Sequence, residues 1–193
     1  MTTLPLPSPT VLLLPGWQDS GPTHWQGRWA RLHGHRRVEQ DDWQWPRRGD
    51  WMARLDEVLT SRGATQGPVV LVAHSLGCQL VAAWAAHSQH TARVKAALLV
   101  APPDTERDDM PPQLFNWRPI VRQRLPFASL VVTSTDDPYG DADRVRQMAA
   151  DWGSRTVSIG ARGCSTQPMS PSSACPTTLR ARRRRWSPTR APA

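Results

Sequence analysis

The segment Pro68-Val69-Val70-Leu71-Val72-Ala73, followed at once by His74-Ser75-Leu76-Gly77, constrains this chain more than any other. A continuous run of mostly branched apolar residues describes a strand buried on both faces, the kind found in parallel sheets covered by helices. Leu76 to Ala86 then carries small and apolar residues at helical spacing. Strand, sharp turn at a serine, and helix together form the setting of a nucleophile elbow. Such a turn needs small residues two positions either side of the serine, and Ala73 and Gly77 stand there. The Ser75 hydroxyl then projects above the carboxyl end of the sheet, at a helix N-terminus whose dipole favours negative charge. An ordinary strand-to-helix turn with a capping serine would use the same residues.

Two further strand ends carry chemistry. Thr10-Val11-Leu12-Leu13-Leu14 reads as a buried strand, and Pro15-Gly16-Trp17-Gln18-Asp19-Ser20-Gly21-Pro22 follows it. A glycine-containing loop after an early strand can offer a backbone N–H to an oxyanion. The expected donors are Trp17, with Gln18 behind it, and Leu76 after the serine. A plain turn built from Gly and Pro is the alternative. Farther on, Ser129 to Thr135 reads as a strand ending in Asp136-Asp137-Pro138-Tyr139. An orienting acid sits at such a strand end, in the chain order Ser, acid, His. Asp137 is the candidate and Asp136 the alternate that braces the loop. An Asx turn, or a cap for the helix beginning near Asp141, would also explain these acids.

These pieces resemble the small serine hydrolases of the family that includes retinoblastoma-binding protein nine. The matching residues are Leu14-Pro15-Gly16-Trp17, Pro22-Thr23-His24-Trp25-Gln26, Trp29, Asp42-Trp43, Pro46, Trp51, Ala73 to Gly77, Ala101-Pro102, and Ser134 to Tyr139. The resemblance implies a minimal α/β-hydrolase: a doubly wound, mostly parallel sheet with helices on both faces and almost no cap. It implies Ser75 as nucleophile and Asp137 as the acid of a triad, and a loop ending in Gly-His after the strand Arg155 to Ile159.

That histidine is missing. Gly160-Ala161-Arg162-Gly163 begins the loop, but Cys164 stands where histidine is expected, and no histidine follows His90. Beyond Gly163 the chain has neither helical nor strand period, and it carries the basic run Arg180 to Arg185. From Arg162 onward there are 7 Arg and no acid. Taking those seven from the 24 basic residues of the whole chain leaves 17 against 16 acidic ones, so the +8 net charge belongs to the end of the chain. The expected organisation is a hydrolase domain over residues 1–163 and a disordered basic tail over residues 164–193. A reading frame shifted after about codon 163 is the preferred explanation, because Arg, Pro, Ser, Thr and Ala are what GC-rich DNA yields out of frame. A genuine basic arm that contacts phosphates and a solvated tail with no role are the others. Nucleic acid is not an expected partner.

A serine hydroxyl is a weak nucleophile until a base takes its proton, and the imidazole also returns that proton to the leaving group. The sequence therefore describes a serine hydrolase for a small ester or amide whose turnover is severely reduced. The alternative is an inactive fold used as a protein-binding module. His24 is expected to cap or pack, with lining the pocket or reaching Ser75 as the alternatives. His74 should turn away from the serine. Trp17 and Trp43 are candidates to line a substrate cleft, and Pro102 to Pro126 is the only material for a lid. No histidine or cysteine spacing suits a metal, and no cofactor is expected. Cys78 should be buried. Between these pieces, Trp25 to Leu32 reads as a helix with Trp25 and Trp29 on one face, Arg37-Val38-Glu39 as a short strand, Asp50 to Ser61 as a helix with Asp50 at its N-cap and Trp51, Leu55, Val58 and Leu59 on its apolar side, and Val94 to Val100 as a strand. The N-terminal segment lacks a charged n-region and no run approaches a membrane span, so a reduced, cytoplasmic setting is expected. Loss of the last helix should leave an apolar sheet face uncovered.

Overall fold

The computed structural model describes residues 9–61 and 67–160. The expected tail, Cys164 and Cys175 lie outside them. Six strands form one sheet: β1 (Thr10–Leu14), β2 (Arg36–Arg37), β3 (Val69–His74), β4 (Val94–Val100), β5 (Ala128–Ser134) and β6 (Arg155–Ile159). Their order is β2-β1-β3-β4-β5-β6, and every adjacent pair is parallel. The order reverses between β1 and β3, which is where ligands bind in doubly wound sheets.

Four helices connect the strands: α1 (Trp25–His33), α2 (Arg48–Thr60), α3 (Leu76–His87) and α4 (Ala142–Asp151). The main core lies between one face of the sheet and α2, α3 and α4. It contains Leu12, Leu14, Leu71, Leu99 and Val131 from the strands, and Leu55, Leu80, Val145 and Met148 from the helices. Trp51, Trp84, Trp117 and Trp152 are fully buried. Each buried indole N–H finds an acceptor, as a donor withdrawn from water requires: Trp84 Nε1 donates to Asp56 at 2.9 Å, Trp117 Nε1 to the Pro46 carbonyl at 2.8 Å, Trp152 Nε1 to the Val121 carbonyl at 2.7 Å and Trp51 Nε1 to the Asp42 carbonyl at 3.2 Å.

Three expectations shift. The second strand is Arg36–Arg37, one residue earlier than Arg37-Val38-Glu39, although the Val38 N–H still donates to Leu13 at 2.9 Å. Asp50 does not cap α2; the helix starts earlier, with Arg47 at its N-cap, and Asp50 falls in the first turn. There its carboxylate still complements the helix dipole. The third shift concerns α1, where Trp25 and Trp29 share a face as expected, their rings 5.2 Å apart. The residues this helix buries are nevertheless Gln26 and Gly27. Gln26 donates to the Leu14 carbonyl at 3.2 Å and to the Val72 carbonyl at 3.0 Å, and accepts from Ser20 Oγ at 2.8 Å. A side-chain amide so satisfied can be buried at little cost.

Candidate functional site

Ser75 has φ 52° and ψ −124°, between the end of β3 and the start of α3. This is backbone that L-residues rarely adopt, and it persists only where neighbours over-determine it. The Ser75 N–H donates to the Val100 carbonyl at 2.9 Å, which pins the turn to β4. Two glycines let the surrounding chain close in. A Cβ on residue 77 would lie 2.4 Å from the Leu14 carbonyl oxygen, and a Cβ on residue 16 would lie 2.8 Å from the Cβ of Ser75. Neither position has room for a methyl group.

A cavity of about 340 Å³ opens over this turn. Its lining includes Ser75, Leu76, Trp17, His24 and Asp137, so five of the sequence candidates line one cavity. Four non-glycine residues have positive φ among those described: Gln18, Asp19, Ser75 and Ala101. All four line this cavity. Strained backbone collecting at one place is a mark of a functional site.

Two N–H groups of the loop after β1 are engaged. Gln18 N–H donates to the Trp43 carbonyl at 3.1 Å and Asp19 N–H to the Gly16 carbonyl at 3.2 Å. The Trp17 N–H has no backbone acceptor among the described residues. Leu76 opens α3, and first-turn N–H groups have no acceptor inside their own helix. Asp137 accepts from the Tyr139 N–H at 2.9 Å, which is the Asx turn that the sequence also allowed. The same carboxylate still lines the cavity. Asp136 turns aside and accepts from Ser134 Oγ, bracing the strand end as expected of the alternate.

His24 does two of the things the sequence allowed. Its Nδ1 accepts from the Gln26 N–H at 3.2 Å, capping α1, and the residue lines the cavity. No hydrogen bond joins it to Ser75 among the described residues. His74 packs against His24, ring centroids 4.6 Å apart, and edge-on against Trp25 at 6.0 Å. It also belongs to the cavity lining, so it is nearer the site than the sequence suggested. Burial, with the His24 ring beside it, lowers the His74 pKa to about 4, so the ring is neutral at neutral pH. Trp43 is not part of the lining. Its ring packs on Trp51 at 5.4 Å, and its carbonyl accepts from Gln18 in the loop after β1. Cys78 is buried, and burial pushes its thiol pKa up.

The segment after β4 supplies Pro103, Met110 and Leu114 to the lining. It is tied down. The Asp104 N–H donates to the Tyr139 carbonyl at 2.9 Å, Arg107 reaches the Pro138 carbonyl at 2.7 Å, and Arg144 and Arg122 pair with Glu106 at 2.7 and 3.0 Å. This is a fixed shoulder over a shallow site. Sequence reading missed Ala101, Asp19 and Tyr139 as lining residues. The Ala101-Pro102 pair was the available signal for the first, because positive φ in alanine needs an outside reason. Among the described residues no group of three metal-binding side chains occurs, and no helix is long and apolar enough to cross a membrane.

Comparison with known proteins agrees with this geometry. The profile of the serine hydrolase family matches residues 11–165. No curated protein sequence matches the chain significantly. Among solved structures, one described as a YdeN-like hydrolase from Pectobacterium atrosepticum is 25% identical, with a TM-score of 0.64 over 78% of this chain and 76% of that one. The ydeN gene product of Bacillus subtilis is 19% identical, with a TM-score of 0.59 over 79% and 85%. Mouse alpha/beta hydrolase domain-containing protein 10 is 16% identical, with a TM-score of 0.54 over 81% of each chain. The sheet and its helices are those of a minimal α/β-hydrolase, as the sequence led one to expect.

Proposed function

The chain belongs to the serine hydrolase family, and we propose that it is built to cleave small esters or amides through Ser75. Ser75 attacks the carbonyl, the N–H groups of Trp17 and Leu76 take the oxyanion, and Asp137 is the acid that orients a triad histidine. The observation that carries this reading is the positive-φ serine, closed on by Gly16 and followed by a Gly77 pressed on the Leu14 carbonyl, in the lining of a cavity that Asp137 and Trp17 also line. The fixed shoulder of Pro103, Met110 and Leu114 favours a small substrate over a deep acyl chain.

This chain lacks the base. No histidine follows His90, and Asp137 cannot replace an imidazole because a carboxylate's part is to stabilise the imidazolium. What remains is binding and oxyanion stabilisation, which together leave about 10³–10⁴-fold over water. The organisation that fits is one hydrolase domain over residues 1–163 and a basic tail over 164–193, the tail arising from a frame shifted after Gly163. The kinship is with the small hydrolases like retinoblastoma-binding protein nine. The missing histidine favours a second reading, an inactive hydrolase that serves as a binding module.

A fluorophosphonate probe followed by peptide mass spectrometry tests the first reading. An adduct on Ser75, slow but absent from Ser75→Ala, is the expected result. No adduct at any probe concentration would leave only the binding-module reading. Resequencing around codons 155 to 170 tests the frame: a one-base correction that restores Gly-His and an amphipathic helix should raise ester turnover by about 10³-fold or more.

A further inference from the structure

The cavity over Ser75 holds a hydrogen-bonding group with no part in the chemistry proposed above. A neutral imidazole has one donor nitrogen and one acceptor nitrogen. In His24 the acceptor is settled, because Nδ1 receives the Gln26 N–H at 3.2 Å. The ring proton therefore resides on Nε2. Two rings restrain it: it packs at a tilt against His74 at 4.6 Å and against Trp25 at 5.5 Å. Burial lowers its pKa, which keeps it neutral at neutral pH. No described residue accepts from Nε2, and His24 lines the cavity. An oriented donor without an acceptor, on the wall of a binding cavity, is the kind of polar group that fixes a ligand's orientation.

The charges of the lining add a second selection. It includes two carboxylates, Asp19 and Asp137, and neither Lys nor Arg. Asp19 is paired with Arg37, which lies outside the lining. A substrate carboxylate entering here would lose water and gain no cation, which is costly. Pro103, Met110 and Leu114 offer an apolar region for one arm of the substrate.

We infer that His24 is a specificity residue of this site, presenting a fixed Nε2–H donor to a neutral ester or amide that carries an ether, hydroxyl or carbonyl oxygen on one arm, and that the same cavity disfavours carboxylates. The inference rests on Ser75 as the nucleophile. The same geometry also excludes His24 as the missing base. A base needs its lone pair on Nε2, which would place a proton on Nδ1 against the Gln26 N–H.

Three fluorophosphonates of equal length test this on the full chain: one with a methylene chain, one with an ether oxygen in the chain, and one ending in a carboxylate. The ether probe should label Ser75 about fivefold faster than the methylene probe, the worth of one hydrogen bond. The carboxylate probe should be slowest. His24→Asn keeps a capping acceptor for the Gln26 N–H but withdraws the ring, so the ether preference should vanish while the thermal midpoint and the discrimination against carboxylate persist. His24→Ala should lose both the preference and some stability, separating capping from selection. Histidine ¹⁵N spectra of the isotope-enriched chain, before any probe is added, read the tautomer without any need for reactivity. An Nδ1–H or protonated His24 at neutral pH overturns the inference, as does an ether preference that survives in His24→Asn. No adduct with any probe, beside an Nε2–H signal, would indict the nucleophile and not the tautomer.

Discussion

The two faces of the sheet are covered unequally. On one face, Leu99 and Val131 are fully buried beneath α3 and α4, and four tryptophans are sealed in the same core. On the other face α1 covers the end of β1 and β3, where Leu13 and Val72 are buried. Over β4, β5 and β6 the next residues along the same strands stay open: Leu98 and Leu130 are partly exposed, Val157 is 47% exposed and Ile159 57% exposed. These pairs are register partners or immediate neighbours, with Leu98 beside Leu130 and Leu99 beside Val131. In β4 and β5 apolar side chains stand on both sides, so the difference there lies in what lies over them. Strand sequence records the intention to be buried twice. Burial itself depends on a helix supplied elsewhere in the chain, and among the described residues none follows β6.

The largest expected contrast is between neighbours. Leu99→Ala should cost about 2–5 kcal/mol in urea unfolding, whereas Leu130→Ala should cost about 1 kcal/mol. Equal costs would break the comparison. Gly77→Ala probes the well-covered side where it meets the site. In an exposed helix this change would gain about 1 kcal/mol, but the new methyl would meet the Leu14 carbonyl at 2.4 Å. We expect a loss of about 3 kcal/mol together with loss of phosphonate labelling. A stabilised, labelled variant would show that the turn is looser than described.

The patch under α1 has a pH signature. His74 has a pKa near 4 in the fold, against an ordinary value near 6.5. Between those two values the unfolded chain binds a proton that the folded chain does not, so stability falls as pH falls through that window. The expected loss is about 2 kcal/mol from pH 7 to pH 4, allowing for partial exposure, and His74→Gln should flatten that part of the profile. The smallest effect on stability belongs to the open face. Ile159→Lys should change unfolding free energy by less than about 0.5 kcal/mol while reducing self-association in light scattering, because it breaks up an exposed apolar patch. A monodisperse parent chain would remove that expectation.

The strands were legible because buried parallel strands need unbroken apolar runs, and β1 and β4 begin and end where the sequence placed them. So were Trp51, Leu55, Val58 and Leu59 as the inner side of α2. The inner side of α1 was not. Its pair of tryptophans suggested a packed face, but Trp29 remains 37% exposed while Gln26 is wholly buried. Polarity hid that glutamine, since its partners are carbonyls on strands 12 and 46 residues away. The site divides the same way. Ser75, Trp17 and Asp137 follow from local turns after strands. The packing of His24 on His74 and the withdrawal of Trp43 onto Trp51 depend on contacts between segments that no local pattern records.

Gln26 has a consequence beyond packing. One amide ties the last carbonyl of β1, a carbonyl of β3 two residues before the elbow begins, and the hydroxyl of Ser20. The loop after β1, the strand that leads into Ser75 and the first turn of α1 therefore cannot open one at a time. Motion there should be concerted, and the backbone amides of Gly16 to Ser20 and of His74 to Gly77 should exchange with deuterium at a common rate. The precision of the site would then be held by a clasp outside it, in a residue that touches no reacting atom.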